Sequence, residues 1–568
     1  MREYLVAFVS GLAEAAGVPA EELRPHVRTP EPERGDLSLA CFSLAKTLKK
    51  APQQIASTMA EAFPKGERFL KVEATGPYVN AWISPSHLVP AVVNGLRERG
   101  AGYLHGDTGS GRTVVMDYSS PNIAKPLGFH HLRSTMIGNS IARIHRALSY
   151  RVVGINYLGD WGKTFGLLAE EFNRRGDRTR MEAEGISYLL ELYVSANKAA
   201  KEDPAFDEAA RGMFLKQEQG DERAVELWRA FRTISLTEFQ RIYDRLGVAF
   251  ESVEGESFYR YGMERVIDRI AHSIGVREDQ GALVVDMPYA EGEPPMMLKK
   301  SDGATLYATR DVAAAIDRFE RFDFDKSLYI VGSEQKRHFD QLVRALSAMG
   351  CDFASRMHHV AFGRVQGMST RQGNVVFLEQ VLDEARDRAL AKMQESGAKE
   401  RELDIHTVAE QVGIGGVVFG DLKNLRTSDY TFDWDDILNP KGFTGICCQY
   451  AHARCCSMLR KAGGTPQQGD LALLTAAEEV QIVKEIARLP GAVIEAAEKL
   501  EPSLLARAVY EVTKAWNRYQ QAGNGDRNLR VLCEDESLRA SRLALVDAVR
   551  ISLASGLELL GVPTPAAM

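Results

Sequence analysis

The chain has 568 residues, 45% of them hydrophobic and 26% charged, the ordinary mixture of a globular protein of about three to four domains at roughly 150 residues each. Lys and Arg number 70 against 77 Asp and Glu, a net charge of −7. This excludes a general DNA coater, which needs a basic excess, but not local basic patches that hold a nucleic acid. Disorder, collagen-like repeats and a small disulfide scaffold are excluded as well. The seven cysteines, Cys41, Cys351, Cys447, Cys448, Cys455, Cys456 and Cys533, follow no repeating spacing, which points to a reduced, cytoplasmic protein. No run of 18 apolar residues occurs, so no membrane span is expected.

Residues 1–18 read as an amphipathic helix, since the apolar stretch 5–9 is too short for a secretion signal and Glu14 follows it. Residues 37–48 and 52–63 read as helices. Residues 69–84 alternate like a hairpin turning at Gly76 and Pro77. The segment HGDTGSGR, 105–112, is a linker by composition. After it come a buried strand at 113–118 (TVVMDY), a helix at 132–148 and a second strand at 152–158 (VVGINYL), together a βαβ unit that seeds a parallel sheet. Residues 165–273 are charged and helix-periodic without a strand signal, hence a helical insertion. Further strands are expected at 328–331 and 359–362, and a helix from about 378. From 411 onward helix periodicity dominates, with helices at 446–460, 478–500, 504–521 and 539–560. The fold class is therefore α/β: a Rossmann-type parallel-sheet domain at 109–440 interrupted by helices at 165–273, a small α/β domain at 1–108, and an all-α bundle at 441–568.

Three stretches carry chemistry. In DYSSPNIAKPLGFHHLRST, 117–135, a strand ends, a loop follows, and His130 and His131 stand at the start of a long helix. Helix N-termini and the C-terminal edge of a first parallel strand both favour phosphate, so Gly128 and the two imidazoles suit a triphosphate. The competing reading is a helix start that happens to carry histidines. GMSTRQGN, 367–374, suits a mobile loop over phosphates, although taken alone it favours an ordinary surface turn. In YATRD, Tyr307 and Asp311 share one helical face and could hold a guanidinium or an amine; an internal ion pair explains the carboxylate equally well.

Taken together, SSPNIAKP with HHLRST, GMSTRQGN, YATRD, GSEQKRH (332–338), TGICCQYAHAR (444–454) and the closing LELLGVPTPAAM resemble the arginyl-tRNA synthetase family of class I aminoacyl-tRNA synthetases over nearly the whole chain. The resemblance implies ATP-dependent formation of arginyl-adenylate, transfer of arginine to the terminal adenosine of tRNA-Arg, magnesium accompanying ATP, and a monomer. It implies arginine contacts at Asp117, Asn122, Trp161, Tyr307, Asp311 and Gln335. For ATP it implies Gly128, His130, His131, Met368, Ser369 and Thr370, with Lys125, His131 and Arg371 as the catalytic set, and for tRNA it implies Tyr450 and Met568. Two departures accompany it. The usual His-x-Gly-His of the first signature is Gly128, Phe129, His130 and His131 here, and the second signature has Gly367 and Gln372 in place of its lysines; Lys125 stands where a substituting lysine is found. The N-terminal domain resembles the family's tRNA-corner domain. Lys46, Lys49 and Lys50 there fit phosphate contact or a solvated helix end. Cys448, His452 and Cys455 share a helical stripe, but one helix cannot surround a tetrahedral ion, so no zinc is expected. The rival from another class is a non-catalytic tRNA-binding paralogue, disfavoured by the intact arginine set.

Overall fold

The computed structural model describes residues 1–259, 263–286, 294–300, 307–367, 376–395, 404–464 and 469–568, with only the backbone described at Pro32 and Tyr307. The N-terminal module is a four-stranded sheet of β1 (Val27–Arg28), β2 (Leu37–Ala40), β3 (Phe69–Thr75) and β4 (Tyr78–Ile83), in the order β1-β2-β4-β3 with antiparallel pairs. Helices α1 (Arg2–Ala16), α2 (Pro52–Glu61) and α3 (Pro85–Arg99) accompany it. The expected helix at 37–48 is corrected: its first part is β2, followed after a turn by a helix only at Ala45–Leu48. Leu37, Ser38 and Leu39 are all buried between β1 and β4. A run of four residues is too short for its period to separate strand from helix.

The central sheet contains β5 (Thr113–Asp117), β6 (Arg151–Leu158), β7 (Ser252–Gly255), β11 (Lys326–Tyr329) and β12 (Met357–His359), all parallel, in the order β12-β11-β5-β6-β7. The order reverses direction between β5 and β11. That switch point opens a crevice at the strands' carboxyl ends, where ligands bind in such sheets. Helix α4 (His131–Ala147) makes the β5 to β6 crossover. Between β6 and β7 lies the insertion, with α5 (Lys163–Arg175), α6 (Ile186–Glu202), α7 (Pro204–Glu218) and α8 (Glu222–Leu246) around their own core of Phe165, Phe172, Leu189 and Phe231. The expectation of no strand within 165–273 is corrected by β7. The segment SVEG pairs with β6 through its backbone and offers one apolar side chain as a signal. A small antiparallel sheet of β8 (Arg277–Asp279), β9 (Ala282–Val285) and β10 (Met296–Lys299) follows. Then come α9 (Tyr307–Phe322) and α10 (Lys336–Ala348). A parallel pair, β13 (Val365–Gln366) with β14 (Tyr430–Thr431), closes the far side of the crevice.

Helices α11 (Leu378–Glu395) and α12 (Ile405–Leu422) lead to the C-terminal bundle of α13 (Gly445–Lys461), α14 (Ala477–Lys499), α15 (Pro502–Gly525) and α16 (Glu536–Leu559). One continuous apolar core joins the N-terminal module, α4 and this bundle, including Phe8, Leu96, Ile141, Val483 and Leu553. Lys484 of α14 pairs with the buried Asp36 of the N-terminal module at 2.7 Å. No described helix is long and apolar enough to cross a membrane.

Candidate active site

The crevice at the switch point is a cleft of about 1120 Å³ lined by residues from β5, β6, α4, α9 and α10, among others. Its floor begins at Asp117, the last residue of β5. The loop beyond it holds Ser119, Ser120 and Ala124 at φ 69°, 49° and 69°, left-handed positions that cost non-glycine residues about 1–3 kcal/mol each. Surrounding elements hold them there. The Ser119 N–H donates to Ser134 Oγ of α4 (3.0 Å), its hydroxyl meets Tyr243 of α8 (2.8 Å), and the Ser120 N–H donates to Asn156 Oδ1 of β6 (3.2 Å). Ser134 in turn donates to the carbonyl of Ile330 beyond β11 (2.8 Å).

Four carboxylates line this cleft, Asp117, Asp311, Glu256 and Glu334, and the first three are already engaged. Asp117 pairs with the buried Arg318 at 2.9 Å and accepts from Ser120 Oγ at 2.7 Å. Burial drives its pKa up, against the pull of Arg318. Asp311, one turn into α9, lies 2.6 Å from His338 Nε2 of α10. Glu256 pairs with Arg310 at 2.6 Å. Burial pushes the Glu256 carboxyl up to about 7, with Arg310 opposing and Asp311 and Asp160 adding to the rise. Buried Asp160 fixes this last residue: it accepts from Ser257 N (2.9 Å) and Ser257 Oγ (2.8 Å), and it pairs with Arg232 (2.9 Å). A Cβ at Gly255 would sit 2.3 Å from the Asp160 carboxylate, so glycine is required where the chain turns to present Glu256.

At the other end of the cleft, His130 is exposed at the N-terminal boundary of α4 and His131 is the helix's first residue. Their rings lie 4.0 Å apart. Burial, followed by the neighbouring His130, lowers His131 to about 3, so it is neutral at physiological pH and keeps both a donor and an acceptor nitrogen. Gly128 is absent from the lining of this cleft. It bridges Phe377, while the Phe129 N–H donates to Val376 O (2.9 Å) and the Leu378 N–H to Leu127 O (2.8 Å). The first signature is thus zipped to the chain that directly follows the 367–374 segment. Arg133, buried in α4, donates to the carbonyls of Gly363 and Ser428 at 2.9 Å and pairs with Asp421 at 3.1 Å. It anchors the other end of that segment.

The family model for "tRNA synthetases class I (R), catalytic domain" matches residues 96–434. The "DALR anticodon binding domain" matches 448–568, and the "Arginyl tRNA synthetase N terminal domain" matches 3–83. The chain belongs to the arginyl-tRNA synthetase family. Among its relatives, "Arginine--tRNA ligase" of Streptococcus pyogenes is 44% identical over 538 residues, covering 94% of each chain. That of Streptococcus agalactiae is 44% identical over 536 residues, 94% of this chain and 93% of the other. The solved arginyl-tRNA synthetase of Thermus thermophilus superposes with a TM-score of 0.82 at 25% identity over the full length of both chains. That of Plasmodium falciparum gives 0.81 at 23%, covering 100% of this chain and 99% of the other.

Of the residues that the family resemblance singles out, the structure brings Asp117, Asn122, His130, His131, Asp311 and Gln335 to the one cleft. Trp161 instead lines the adjoining cavity, which also reaches Glu256, with its ring edge-on to Phe214 and Trp228. Lys125 is not among the cleft's lining residues; its Nζ sits 4.2 Å over the Tyr193 ring of α6. Tyr307 opens α9, one turn before Asp311. Met368, Ser369, Thr370 and Arg371 lie outside the described residues. Tyr450 is 45% exposed on α13, and Met568 packs partly against the main core. Cys447, Cys448 and Cys455 are buried, and burial raises all three thiol pKa values, that of Cys448 to about 12. Glu256 and His338 escaped the sequence reading as named contacts, although His338 lay inside GSEQKRH. Glu256 has no motif of its own, and its only signal was a glutamate placed one residue after a strand too short to recognise.

Proposed function

We propose that this chain charges tRNA-Arg with arginine, using ATP, and that the described cleft is where arginine is activated. The observation that carries the reading is the group of carboxylates, Asp117, Asp311 and Glu256, lining one cleft beside the N-terminus of α4. A planar guanidinium can share two parallel hydrogen bonds with a carboxylate, which the point charge of lysine cannot. A second carboxylate multiplies that difference, because a half-paired buried acid is costly. Asp311 and Glu256 take the guanidinium, while Asp117, Asn122 and Gln335 lie toward the α-amino and carboxyl end; Trp161, from the adjoining cavity, and Tyr307, at the start of α9, are assigned to the same ligand.

In the reaction the arginine carboxylate attacks the α-phosphate of ATP in line and pyrophosphate leaves, so no covalent enzyme group is needed. Alignment and electrostatic stabilisation carry the rate. Neutral His131 donates a hydrogen bond at the start of α4, where the helix's free N–H groups favour phosphate. His130 flanks the nucleotide, Gly128 is assigned to it from just outside the cleft lining, and Met368, Ser369, Thr370 and Arg371, with Lys125, supply the remaining phosphate contacts. The 2′-hydroxyl of the terminal adenosine then attacks the adenylate carbonyl and AMP leaves. Magnesium accompanies ATP in this reading as part of the nucleotide substrate. Among the described residues no cluster of His, Cys, Asp or Glu offers a resident metal a site, and no step here runs through one. The domain limits 1–108, 109–440 and 441–568, a monomeric state and a cytoplasmic location belong to the same reading, the last supported by seven free cysteines. Tyr450 and Met568 are assigned to the approach of the anticodon.

The test is aminoacylation of total tRNA by the full chain with ATP and each of arginine, lysine and no amino acid. Arginine-dependent charging is the expected result, with Asp311→Asn raising the arginine KM at least tenfold and leaving the ATP KM within about twofold. Tight tRNA binding without arginine-dependent charging would instead establish a binding-only paralogue.

A further inference from the structure

Tyr157, near the end of β6, is half-buried and lines the same cleft as Asp311, Glu256 and Asp117. Its ring is wedged among aromatic and cationic neighbours: the Arg318 guanidinium lies 5.1 Å from its centroid and the Tyr259 ring 6.0 Å away, edge-on. Its hydroxyl is sealed from solvent and has no hydrogen-bond partner among the described residues. Buried tyrosine hydroxyls are almost always paired, because an orphan costs about 1–3 kcal/mol of desolvation. The three carboxylates nearest the proposed guanidinium position are by contrast engaged: Asp117 by Arg318 and Ser120, Asp311 by His338, Glu256 by Arg310. The carboxylates whose charge bears most on the Tyr157 hydroxyl are Asp311 and Glu256.

We infer that Tyr157 is a specificity-setting positioning residue for arginine: its hydroxyl donates to the Asp311 carboxylate when Asp311 exchanges His338 for the guanidinium, so the bound state repairs a bond missing from the empty one. A carboxylate bound to a planar guanidinium uses two lone pairs in the plane of the fork and keeps others for a further donor. Tyr157 supplies that donor from the protein side and locks the carboxylate's orientation. The empty protein accepts an unpaired hydroxyl in return for a pocket that gains one hydrogen bond only with the correct ligand present, which is the usual trade between stability and a functional site.

The inference rests on the placement of the guanidinium at Asp311 and Glu256. The experiment therefore runs Tyr157→Phe beside Asp311→Asn in the full chain, with cognate tRNA present. Tyr157→Phe is expected to raise the arginine KM about tenfold, equivalent to about 1.4 kcal/mol, with the ATP KM unchanged. The melting temperature of the ligand-free protein should be unchanged or higher, since an orphan has been removed, and the thermal shift produced by saturating arginine should shrink. A merely structural tyrosine would do the opposite, lowering the melting temperature and leaving the arginine KM alone, and that result overturns the inference. If Asp311→Asn weakens arginine selectively while Tyr157→Phe does not, Tyr157 has no such role and the pocket stands. If neither variant acts selectively on arginine, the pocket itself has been misplaced.

Discussion

Glu256→Gln should remove a pH dependence from arginine use. The carboxyl of the empty protein titrates at about 7 where a free one titrates at 4.5, because burial disfavours its charge more than Arg310 restores it. For an acid raised in the folded state, the associated stability is fully present below the unfolded pKa and is lost as pH rises through the folded one, here between about 4.5 and 7. The gap corresponds to about 3 kcal/mol. Arginine reverses the balance, since a guanidinium needs the ionised carboxylate. The kcat/KM for arginine, which reports ionisation of the free enzyme, should therefore climb up to tenfold per pH unit below 7 and level off above it. Glu256→Gln should abolish that climb. At pH 8 it should also lower kcat/KM for arginine by about 10- to 100-fold, the loss of one charge-assisted hydrogen bond of about 1.5–3 kcal/mol, with ATP little affected. Steady-state charging of tRNA from pH 6 to 8.5 measures both. A wild-type profile that is flat across 7, or a variant whose profile keeps the wild-type inflection, would refute the assignment of Glu256 to the guanidinium.

Asp421→Asn should destabilise the chain by about 3 kcal/mol in urea denaturation, because it leaves the fully buried Arg133 guanidinium with two carbonyls and no counter-charge; a change under about 1 kcal/mol would mean the pair is not stabilising. Tyr450→Ala should weaken tRNA binding by about 1–3 kcal/mol, the worth of one base stacked on an aromatic ring, with the KM values for arginine and ATP unchanged. A filter-binding assay decides it, and unaltered tRNA affinity would move the anticodon contact off α13.

The parts of this fold legible in the sequence were those whose burial has a period. TVVMDY and VVGINYL are buried on both faces and bracket a 17-residue helix, so the βαβ unit and the cleft at the end of β5 followed from pattern alone. The strands near 328 and 359 were found but placed late, since β11 starts at Lys326 and β12 ends at His359, and a charged or polar residue in a parallel strand carries no apolar signal. Residues 37–40 read as helix because LSLA is too short to separate a strand period from a helix period, and its one polar residue, Ser38, is buried with its neighbours. β7 was missed because parallel pairing with β6 runs through the backbone and demands little of the side chains of Ser252, Glu254 and Gly255. The site was half legible. Motif residues Asp117, Asn122, Asp311 and Gln335 do meet in one cleft, but the pairs that prepare them do not show in sequence. Asp117 finds Arg318 across 201 positions of chain and Asp160 holds Ser257 across 97, and neither partner has a spacing that could announce it.

Lys125 is the assignment on which structure and sequence pull hardest against each other. Both usual lysines of the second signature are replaced, by Gly367 and Gln372, while the transition state still spreads negative charge over the phosphates, so a cation is needed. Lys125 stands in the loop between β5 and α4, close enough for its charge to bear on His130 and His131, yet its ammonium rests 4.2 Å over the Tyr193 ring of the insertion. Leaving that ring costs about 0.5–1 kcal/mol, far less than the several kcal/mol that a fixed cation contributes in a water-excluded phosphoryl transition state. Swinging from Tyr193 to the nucleotide is therefore affordable, and Lys125→Ala should slow adenylate formation by about 100-fold, or about 2.7 kcal/mol, with the arginine KM within about threefold. Tyr193→Leu should leave the rate unchanged or slightly raised, because it releases the lysine. Single-turnover pyrophosphate release with cognate tRNA bound reads both, with Arg371→Ala as the rival. If Lys125→Ala keeps the wild-type rate and only lowers the melting temperature, Lys125 is a tether between the first-signature loop and the insertion, and a collapse of the rate in Arg371→Ala alone would hand the phosphate charge to the second signature.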